Sequence, residues 1–220
     1  RHELRESLLL ELLIAAQPGP RALNVGAGQG SFSRLLATRG FAMTSVEASP
    51  AAVDVLRRRT PGEVVQADAA SLPFADETFD VLVLGEVLEH LEDDVAALRE
   101  ARRVLRSGGL VAASVPRNPA WFSSSDRWAG HVRRYTHGAL LGAFRDADLT
   151  VERCVAWGFP VSALYHRTIY ERHLDRRGAA PATARQRPAV AVLRALLQLD
   201  RLFLGHERGA LGYLVVARRS

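Results

Sequence analysis

The chain carries near its N-terminus the glycine-rich stretch Leu23-Asn24-Val25-Gly26-Ala27-Gly28-Gln29-Gly30. An apolar run at 22–26 ends at its first glycine and a helical stretch at 31–38 follows its last, so the glycines stand where a strand would pass into a helix. Glycine permits positive φ and has no Cβ, and the N-terminus of the following helix offers free N–H groups. This turn therefore predicts a backbone that a ligand can approach very closely.

Strand-like and helix-like stretches alternate along the rest of the chain. Short, largely apolar runs predict strands at 22–26, 42–48, 64–67, 81–85, 110–115, 151–157 and 211–217. Helical spacing of apolar residues predicts helices at 3–16, 31–38, 51–58, 93–105, 138–146, 161–175 and 189–204. Such alternation indicates βαβ crossovers, and it predicts an α/β fold with an open, doubly wound, Rossmann-like sheet.

Two acidic residues end the strands that follow the glycine turn. Glu47 lies 21 residues after Gly26, where a carboxylate can accept both hydroxyls of a ribose. Asp68 ends the third predicted strand and could accept a hydrogen bond from an adenine amino group. Because ligands bind at the carboxyl ends of strands in open α/β sheets, the three strand ends predict a nucleoside site. The alternative is that both carboxylates only cap the helices behind them.

The glycine spacing separates two nucleoside cofactors. The dinucleotide fingerprint places its third glycine five residues after the first, whereas here the interval from Gly26 to Gly30 is four. Together with Glu47, Asp68-Ala69, the run 80–90 (DVLVLGEVLEH) and the run 105–110 (LRSGGL), the turn resembles the successive motifs of class I S-adenosylmethionine-dependent methyltransferases. The resemblance covers roughly residues 20–150 and extends to small-molecule methyltransferases of the ubiquinone-biosynthesis type.

The resemblance implies S-adenosylmethionine as the cofactor and a sheet of seven strands whose last strand is antiparallel. It also implies which residues hold the cofactor: Gly26, Gly28 and Gly30 at the methionyl and ribose part, Glu47 and Ala48 at the ribose, Asp68 and Ala69 at the adenine, and Asn24, Gly85 and Glu86 at the amino acid end. Asn24 departs from the pattern, since the family usually has Asp or Glu there. An amide can hydrogen-bond the methionine end but lacks the charge that would pair with its ammonium group.

We expect one compact domain over residues 1–220, because 48% of the residues are hydrophobic and 24% are charged, and the resemblance implies that this is a methyltransferase domain. Its parts are an N-terminal helix at 1–17, a cofactor-binding core at 20–117, a lid or acceptor segment at 118–135, and a C-terminal half at 136–220 with a helical insertion at 160–205. A linker is expected at 176–188. Aromatic residues of the lid, Trp121, Phe122 and Trp128, are expected to form an apolar cap over the acceptor.

Charge and cysteine content narrow the classes of function. All 29 basic residues are arginine; residues 1–130 hold 14 Arg and 17 acidic residues, and residues 131–220 hold 15 and 7, which gives net charges of −3 and +8. A basic C-terminal third attracts an anionic substrate, a nucleic acid or a lipid surface.

Cys154 is the only cysteine, which excludes an internal disulfide and cysteine-rich zinc sites. With no apolar run of membrane-spanning length and no signal sequence, we expect a cytoplasmic protein.

One group of residues suggests catalysis or metal binding. Glu86, Glu89 and His90 stand at positions i, i+3 and i+4, so they share a face if that segment is helical, and His131 lies 41 residues beyond His90. Two carboxylates and two imidazoles predict an octahedral site for Mg²⁺ or Mn²⁺. This E-x-x-E-H pattern with a distant histidine is similar to metal-dependent O-methyltransferases that act on polyprenyl catechols or on the terminal ribose of small RNAs.

Other interpretations of the same residues stay open. Glu86 could serve the cofactor, Glu89 could be solvated and His90 could pack in the core. Alternatively, His131 or His90 could act as a general base. A sulfonium is already a strong methyl donor, so a base is optional.

These features predict a small-molecule methyltransferase, O-directed, whose acceptor is apolar or anionic. The alternatives are an RNA ribose methyltransferase, a nicotinamide-dependent oxidoreductase and a non-catalytic nucleoside-binding subunit. The sequence contains no recognisable nucleic-acid-binding module, although the basic C-terminal third would suit a nucleic-acid partner. The predicted helices 161–175 and 189–204 combine apolar stripes with arginine-rich faces, which suits peripheral membrane contact but also ordinary solvated helices. The oligomeric state is not specified by the sequence.

Overall fold

The computed structural model describes residues 2–166, 168 and 187–220, and these form a seven-stranded sheet. The strands are β1 Arg21–Val25, β2 Ala42–Glu47, β3 Glu63–Gln66, β4 Phe79–Gly85, β5 Leu105–Pro116, β6 Leu149–Trp157 and β7 Gly212–Arg219. Their order in the sheet is β3-β2-β1-β4-β5-β7-β6, and β7 runs antiparallel to both of its neighbours while the other pairs are parallel. The predicted doubly wound sheet with an antiparallel last strand is therefore confirmed.

Helices cover both faces of the sheet. They are α1 His2–Ala15, α2 Ser31–Ala37, α3 Pro50–Arg59, α4 Asp94–Val104, α5 Ser124–Ala129, α6 His137–Asp146, α7 Val161–Tyr165 and α8 Arg187–Leu197, with short 3₁₀ helices at Leu88–His90, Pro119–Trp121 and Gln198–Phe203. The helix predicted at 161–175 is described only to Tyr165 and its immediate neighbours, and most of the predicted linker at 176–188 lies outside the described residues. No described helix is both long and apolar enough to cross a membrane.

The central strand β4 shows why the sheet must be covered by helices on both of its faces. Side chains alternate between the two faces of a strand, and here both faces are buried. Leu82 and Leu84 pack in one core cluster, with residues of α4 and α6, whereas Val81 and Val83 pack in the other, with leucines of α1. A near-continuous apolar run is what a parallel strand between two helix layers requires.

Two local differences from the sequence-based expectation affect the site. β5 begins at Leu105, five residues before the predicted strand, because Leu105 already pairs with Phe79 of β4. The segment after β4 is not an α-helix: Glu86 has a positive φ of 59°, and only the single 3₁₀ turn Leu88–His90 follows it. The condition for Glu86, Glu89 and His90 to share a helical face is therefore not met.

After β5 the chain leaves the sheet, and at Tyr135 it returns to the carboxyl end of β5. Asn118 N donates to Tyr135 O at 2.9 Å, and Tyr135 N donates to Pro116 O at 2.9 Å. The buried Tyr135 hydroxyl donates to Asp94 Oδ2 at 2.6 Å, at the start of α4. Residues 117–135 thus form a loop whose two ends are fixed beside the carboxyl end of β5.

Candidate active site

Two adjoining cavities lie at the carboxyl ends of β1, β2 and β4. The smaller, of about 320 Å³, is lined by Gly26, Glu47, Ala48, Asp68, Ala69, Glu86 and His90 among others. The larger, of about 610 Å³, is lined by Asn24, Gly26, Gly28, Gly85, Glu86, His90 and residues of the 117–135 loop. Apart from Gly30, every residue predicted to hold the cofactor lines one or both cavities. Their individual roles stay predictions.

The three glycines of the turn have different reasons for lacking a side chain. All three have positive φ, of 65° at Gly26, 54° at Gly28 and 77° at Gly30. A Cβ at Gly28 would meet nothing within 4 Å, so this residue opens onto the larger cavity. A Cβ at Gly30 would collide with the Thr60 side chain at the end of α3, which places Gly30 against the protein rather than against a ligand.

Glu47 holds the glycine turn in place while it lines the smaller cavity. Its Oε2 accepts a hydrogen bond from Gly28 N at 2.8 Å, and its Oε1 accepts from Ala48 N at 3.0 Å. Asp68 makes a similar local bond, from Ala70 N to Oδ1 at 2.8 Å. Both carboxylates are thus oriented by backbone N–H groups at the cavity wall, and each oxygen can accept a further hydrogen bond from a ligand.

Asn24 belongs to a buried polar chain. Its Nδ2 donates to Ser33 Oγ at 2.8 Å, and Ser33 Oγ lies 2.8 Å from Ser45 Oγ. The amide nitrogen is therefore engaged inside the protein, although Asn24 lines the larger cavity. Two charged residues line the same cavity as Asn24, namely Arg5 of α1 and Glu86. The Arg5 guanidinium lies 3.4 Å from the Glu86 carboxylate. Sequence reasoning missed Arg5, because nothing local to α1 indicates that it reaches the end of β4.

Three of the four predicted metal ligands come together. Glu89, His90 and His131 each place a ligand atom within 4.8 Å of the others. The two imidazole rings meet edge to face with centroids 4.7 Å apart, and His131 Nε2 lies 3.9 Å from Glu89 Oε1. Glu86 is not part of this group, which corrects the four-ligand prediction: the backbone turns at Glu86 before the 3₁₀ turn begins. We call Glu89, His90 and His131 the Glu–His cluster.

Glu89 is fully buried, and neither of its carboxylate oxygens accepts a hydrogen bond from another described residue. Burial, together with the negative charge of Glu86, raises the pKa of Glu89 well above its usual value. Unpaired buried carboxylates are costly, because the protein does not replace the lost hydration. The interpretation of Glu89 as a solvated residue is therefore wrong, and the carboxyl group needs either a proton or a cation.

Both histidines of the cluster have their Nδ1 atoms engaged. His131 Nδ1 lies 2.8 Å from Asp126 Oδ1, and His90 Nδ1 donates to Gly130 O at 3.3 Å. Burial and the neighbouring His131 lower the pKa of His90. In the neutral form of either ring, a proton on Nδ1 leaves the lone pair on Nε2.

Asp126 is a site residue that sequence reasoning missed. It is buried, it caps α5 by accepting from Ser123 N at 2.8 Å, and the Arg134 guanidinium donates to both of its oxygens at 2.8–3.0 Å. Although burial alone would raise its pKa, the hydrogen bonds from His131 and Arg134 hold the pKa of Asp126 well below its usual range. The pattern Ser-x-x-Asp at 123–126 is a capping-box signal for a helix start. It does not reveal the contact with His131.

The 117–135 loop and the C-terminal half also line the larger cavity. Trp128, Arg134, Trp157 and His166 line it, whereas Trp121 and Phe122 line neither of the two cavities. Trp128 is two-thirds exposed, so it stands at the rim. The predicted aromatic cap is therefore reduced to Trp128, with Trp157 as an inner wall.

Comparison with known proteins gives a consistent assignment. Residues 23–113 match the family described as "Methyltransferase domain". A demethylmenaquinone methyltransferase of Beutenbergia cavernae is 37% identical over 109 residues, which are 49% of this chain and 45% of that protein. The "Probable S-adenosylmethionine-dependent methyltransferase" of Mycobacterium tuberculosis is 40% identical over 95 residues, 43% of this chain and 35% of the relative. The chain thus spans half or less of the curated relatives that it matches.

Solved structures agree on the fold. A geranyl diphosphate methyltransferase in complex with GPP and sinefungin superposes with a TM-score of 0.71 at 17% identity, over 99% of this chain and 78% of that one. The cyclase SpnF superposes with a TM-score of 0.62 at 24% identity, over 97% and 81%. Residues 23–113 thus resemble a methyltransferase domain, S-adenosylmethionine-dependent methyltransferases are among the relatives of this chain, and the chain shares the fold of these solved structures.

Proposed function

We propose that this chain, whose residues 23–113 match a methyltransferase domain, transfers a methyl group from S-adenosylmethionine to a hydroxyl oxygen of a small molecule. The observation that carries the proposal is the position of the Glu–His cluster: His90 lines both cavities and His131 lines only the larger one. The smaller cavity suits an adenosine, and the larger has room for the methionine end and an acceptor. The cluster then lies between donor and acceptor.

Methyl transfer needs the acceptor atom held in line with the sulfonium in a dry cleft. A neutral hydroxyl is a poor nucleophile, so its proton must be removed or its pKa lowered. The imidazoles of His90 and His131, which line the larger cavity, and the buried Glu89 carboxyl group beside His131 can provide that. The acceptor that fits is a hydroxylated molecule with an apolar body, because Trp128 and Trp157 face the same cavity.

We also propose that the Glu–His cluster holds a divalent cation. The residues fit such an ion on two counts: both Glu89 oxygens lack partners, and hydrogen bonds at Nδ1 fix both imidazoles with Nε2 as the lone-pair nitrogen. Asp126 stands in the outer position that commonly orients a metal-bound histidine. The mixed nitrogen and oxygen donors favour Mn²⁺ over Mg²⁺. When bound, such an ion lowers the pKa of a coordinated hydroxyl and orients the acceptor.

Binding and turnover measurements test the two proposals separately. We expect S-adenosylhomocysteine, but not NAD, to raise the melting temperature, and labelled methyl to pass from S-adenosylmethionine to hydroxylated aromatic or polyprenyl acceptors. The fold alone does not settle this, because the cyclase SpnF shares it. Absence of S-adenosylhomocysteine binding would overturn the methyltransferase proposal.

The metal proposal has its own variant. Glu89→Gln keeps the shape of the side chain but removes the charge, so we expect it to abolish Mn²⁺ binding by calorimetry and leave S-adenosylhomocysteine affinity within about twofold. Glu92→Gln, on an exposed neighbour, is the matched control. Unchanged methyl transfer in excess chelator would refute the metal proposal while leaving the methyltransferase proposal intact.

A further inference from the structure

Arg5 of α1 is a buried arginine whose hydrogen-bond donors are only partly used. It lines the larger cavity although only 8% of the residue is exposed. Its Nη1 lies 3.4 Å from Glu86 Oε2, and this is its one ion pair among the residues that the structure describes. A guanidinium carries five N–H donors, and its burial is costly unless they find acceptors. The ion pair with Glu86 therefore leaves donors for a ligand in the cavity.

The helix that carries Arg5 is held against both the sheet and the glycine turn. Leucines of α1 pack with Val81 and Val83 of β4 in one of the two core clusters. The neighbouring Glu6 accepts a hydrogen bond from Ser31 Oγ at 2.6 Å, at the first residue of α2. The helix thus presents Arg5 to the cavity from a fixed position beside the turn.

Glu86, the partner of Arg5, lies where the two cavities adjoin. It lines both of them, whereas the other two carboxylates of the larger cavity, on Glu6 and Asp126, line only that one. A carboxylate has about four acceptor sites, so its pair with Arg5 leaves room for a ligand's ammonium group. Asn24, which the same cavity contains, is neutral, and its Nδ2 donates to Ser33. Glu86 is therefore the residue that can supply a negative charge at this junction.

The two opposite charges restrict the ligand that fits. A ligand with a single charge would be attracted by one member of the pair and repelled by the other. An α-amino acid group carries a carboxylate and an ammonium on the same carbon atom, so it can meet both. The order of the lining residues agrees with the shape of S-adenosylmethionine, since Asp68 lines only the smaller cavity, Glu86 lines both and Arg5 lines only the larger. An adenosine in the smaller cavity thus directs its amino acid end toward the pair.

We propose that Arg5 and Glu86 together bind the amino acid end of S-adenosylmethionine, with Arg5 at the carboxylate and Glu86 at the ammonium. This inference rests on the proposed function, which makes S-adenosylmethionine the ligand. Glu86 then supplies the charge that Asn24 lacks, and α1 becomes part of the cofactor site. Because a guanidinium pairs with a carboxylate through two directed hydrogen bonds, Arg5 favours this ligand over nucleosides that lack the carboxylate.

Calorimetry with three ligands tests the pair. S-adenosylmethionine carries both charged groups, decarboxylated S-adenosylmethionine carries only the ammonium, and 5′-methylthioadenosine carries neither. We expect the parent chain to bind the decarboxylated ligand about tenfold more weakly than S-adenosylmethionine, because one charge-assisted pair is lost. Binding of 5′-methylthioadenosine should be weaker again.

Each member of the pair should give its own pattern of losses. Arg5→Gln should weaken binding of S-adenosylmethionine by about tenfold or more and leave the other two ligands within about twofold. Glu86→Gln should weaken both ligands that carry the ammonium and leave 5′-methylthioadenosine within about twofold. Arg34→Gln is the matched control, because Arg34 is an exposed arginine that lines the same cavity. It should bind all three ligands like the parent chain.

Circular dichroism shows whether each variant is folded. If Arg5→Gln is not, Arg5→Lys replaces it; it keeps the charge but loses the planar fork, and should weaken S-adenosylmethionine alone by roughly threefold or more. Equal binding of S-adenosylmethionine and its decarboxylated form by the parent chain, or an equal loss in Arg34→Gln, would overturn the pair and leave the proposed function intact. A parent chain that binds none of the three ligands would overturn the proposed function, and the pair with it.

Discussion

Replacing Asp126 by Asn separates the role of this residue in folding from its role at the Glu–His cluster. The amide keeps the size of the side chain but removes the charge, and it turns an NH₂ group toward donors. In the structure Asp126 accepts from His131 at 2.8 Å, from Ser123 N at 2.8 Å and from Arg134 at 2.8–3.0 Å, and only 1% of it is exposed. Leaving the buried Arg134 without its counter-charge costs about 3–5 kcal/mol of unfolding free energy.

The same substitution should weaken Mn²⁺ binding by about 10- to 100-fold, because His131 loses the carboxylate that fixes its Nδ1–H. Urea unfolding measures the stability, and calorimetry measures the affinity. The double variant Asp126→Asn with Arg134→Met no longer contains the unpaired Arg134 guanidinium. Much of the unfolding free energy should therefore return, while Mn²⁺ affinity stays low. Asp94→Asn is the matched control: it removes a buried carboxylate bonded to Tyr135, and it should lower stability without changing Mn²⁺ affinity. Unaltered Mn²⁺ affinity in folded Asp126→Asn would refute the reasoning.

Three further predictions concern the cofactor turn, the loop anchor and the cysteine. Gly28→Val should abolish the rise in melting temperature that S-adenosylhomocysteine causes, since its side chain would enter the cavity, whereas Gly30→Ala should lower the melting temperature itself through its collision at α3. Tyr135→Phe should cost about 1–3 kcal/mol in urea unfolding, because a buried Asp94 oxygen loses its donor. Burial, with Glu207 nearby, raises the pKa of Cys154 to about 11, so a thiol reagent at pH 8 should label the native chain far more slowly than the unfolded one. Because the folded state holds this proton more tightly, stability should fall as pH rises from about 9 toward 11.

The lining of the smaller cavity follows from the sequence more directly than the lining of the larger one, because its residues lie at the ends of neighbouring strands. The glycine turn, Glu47 and Asp68 each end a strand of a parallel sheet, so sheet topology alone brings them to one edge. A shared face for Glu86, Glu89 and His90 depended on a helix in this segment, and the chain instead takes a left-handed conformation at Glu86. Asp126 could not be predicted, since its contact with His131 depends on how the 117–135 loop folds back.

That loop also explains how one fold can serve different acceptors. Its ends are fixed by Tyr135, through backbone bonds to Pro116 and Asn118 and a hydroxyl bond to Asp94, none of which touches the cofactor turn. The residues between those ends carry Asp126, Trp128 and His131 into the larger cavity. A change in this loop can therefore alter the acceptor while leaving the smaller cavity unaltered. Under the function proposed above, the strand ends hold the methyl donor, and the loop together with α7 determines the acceptor.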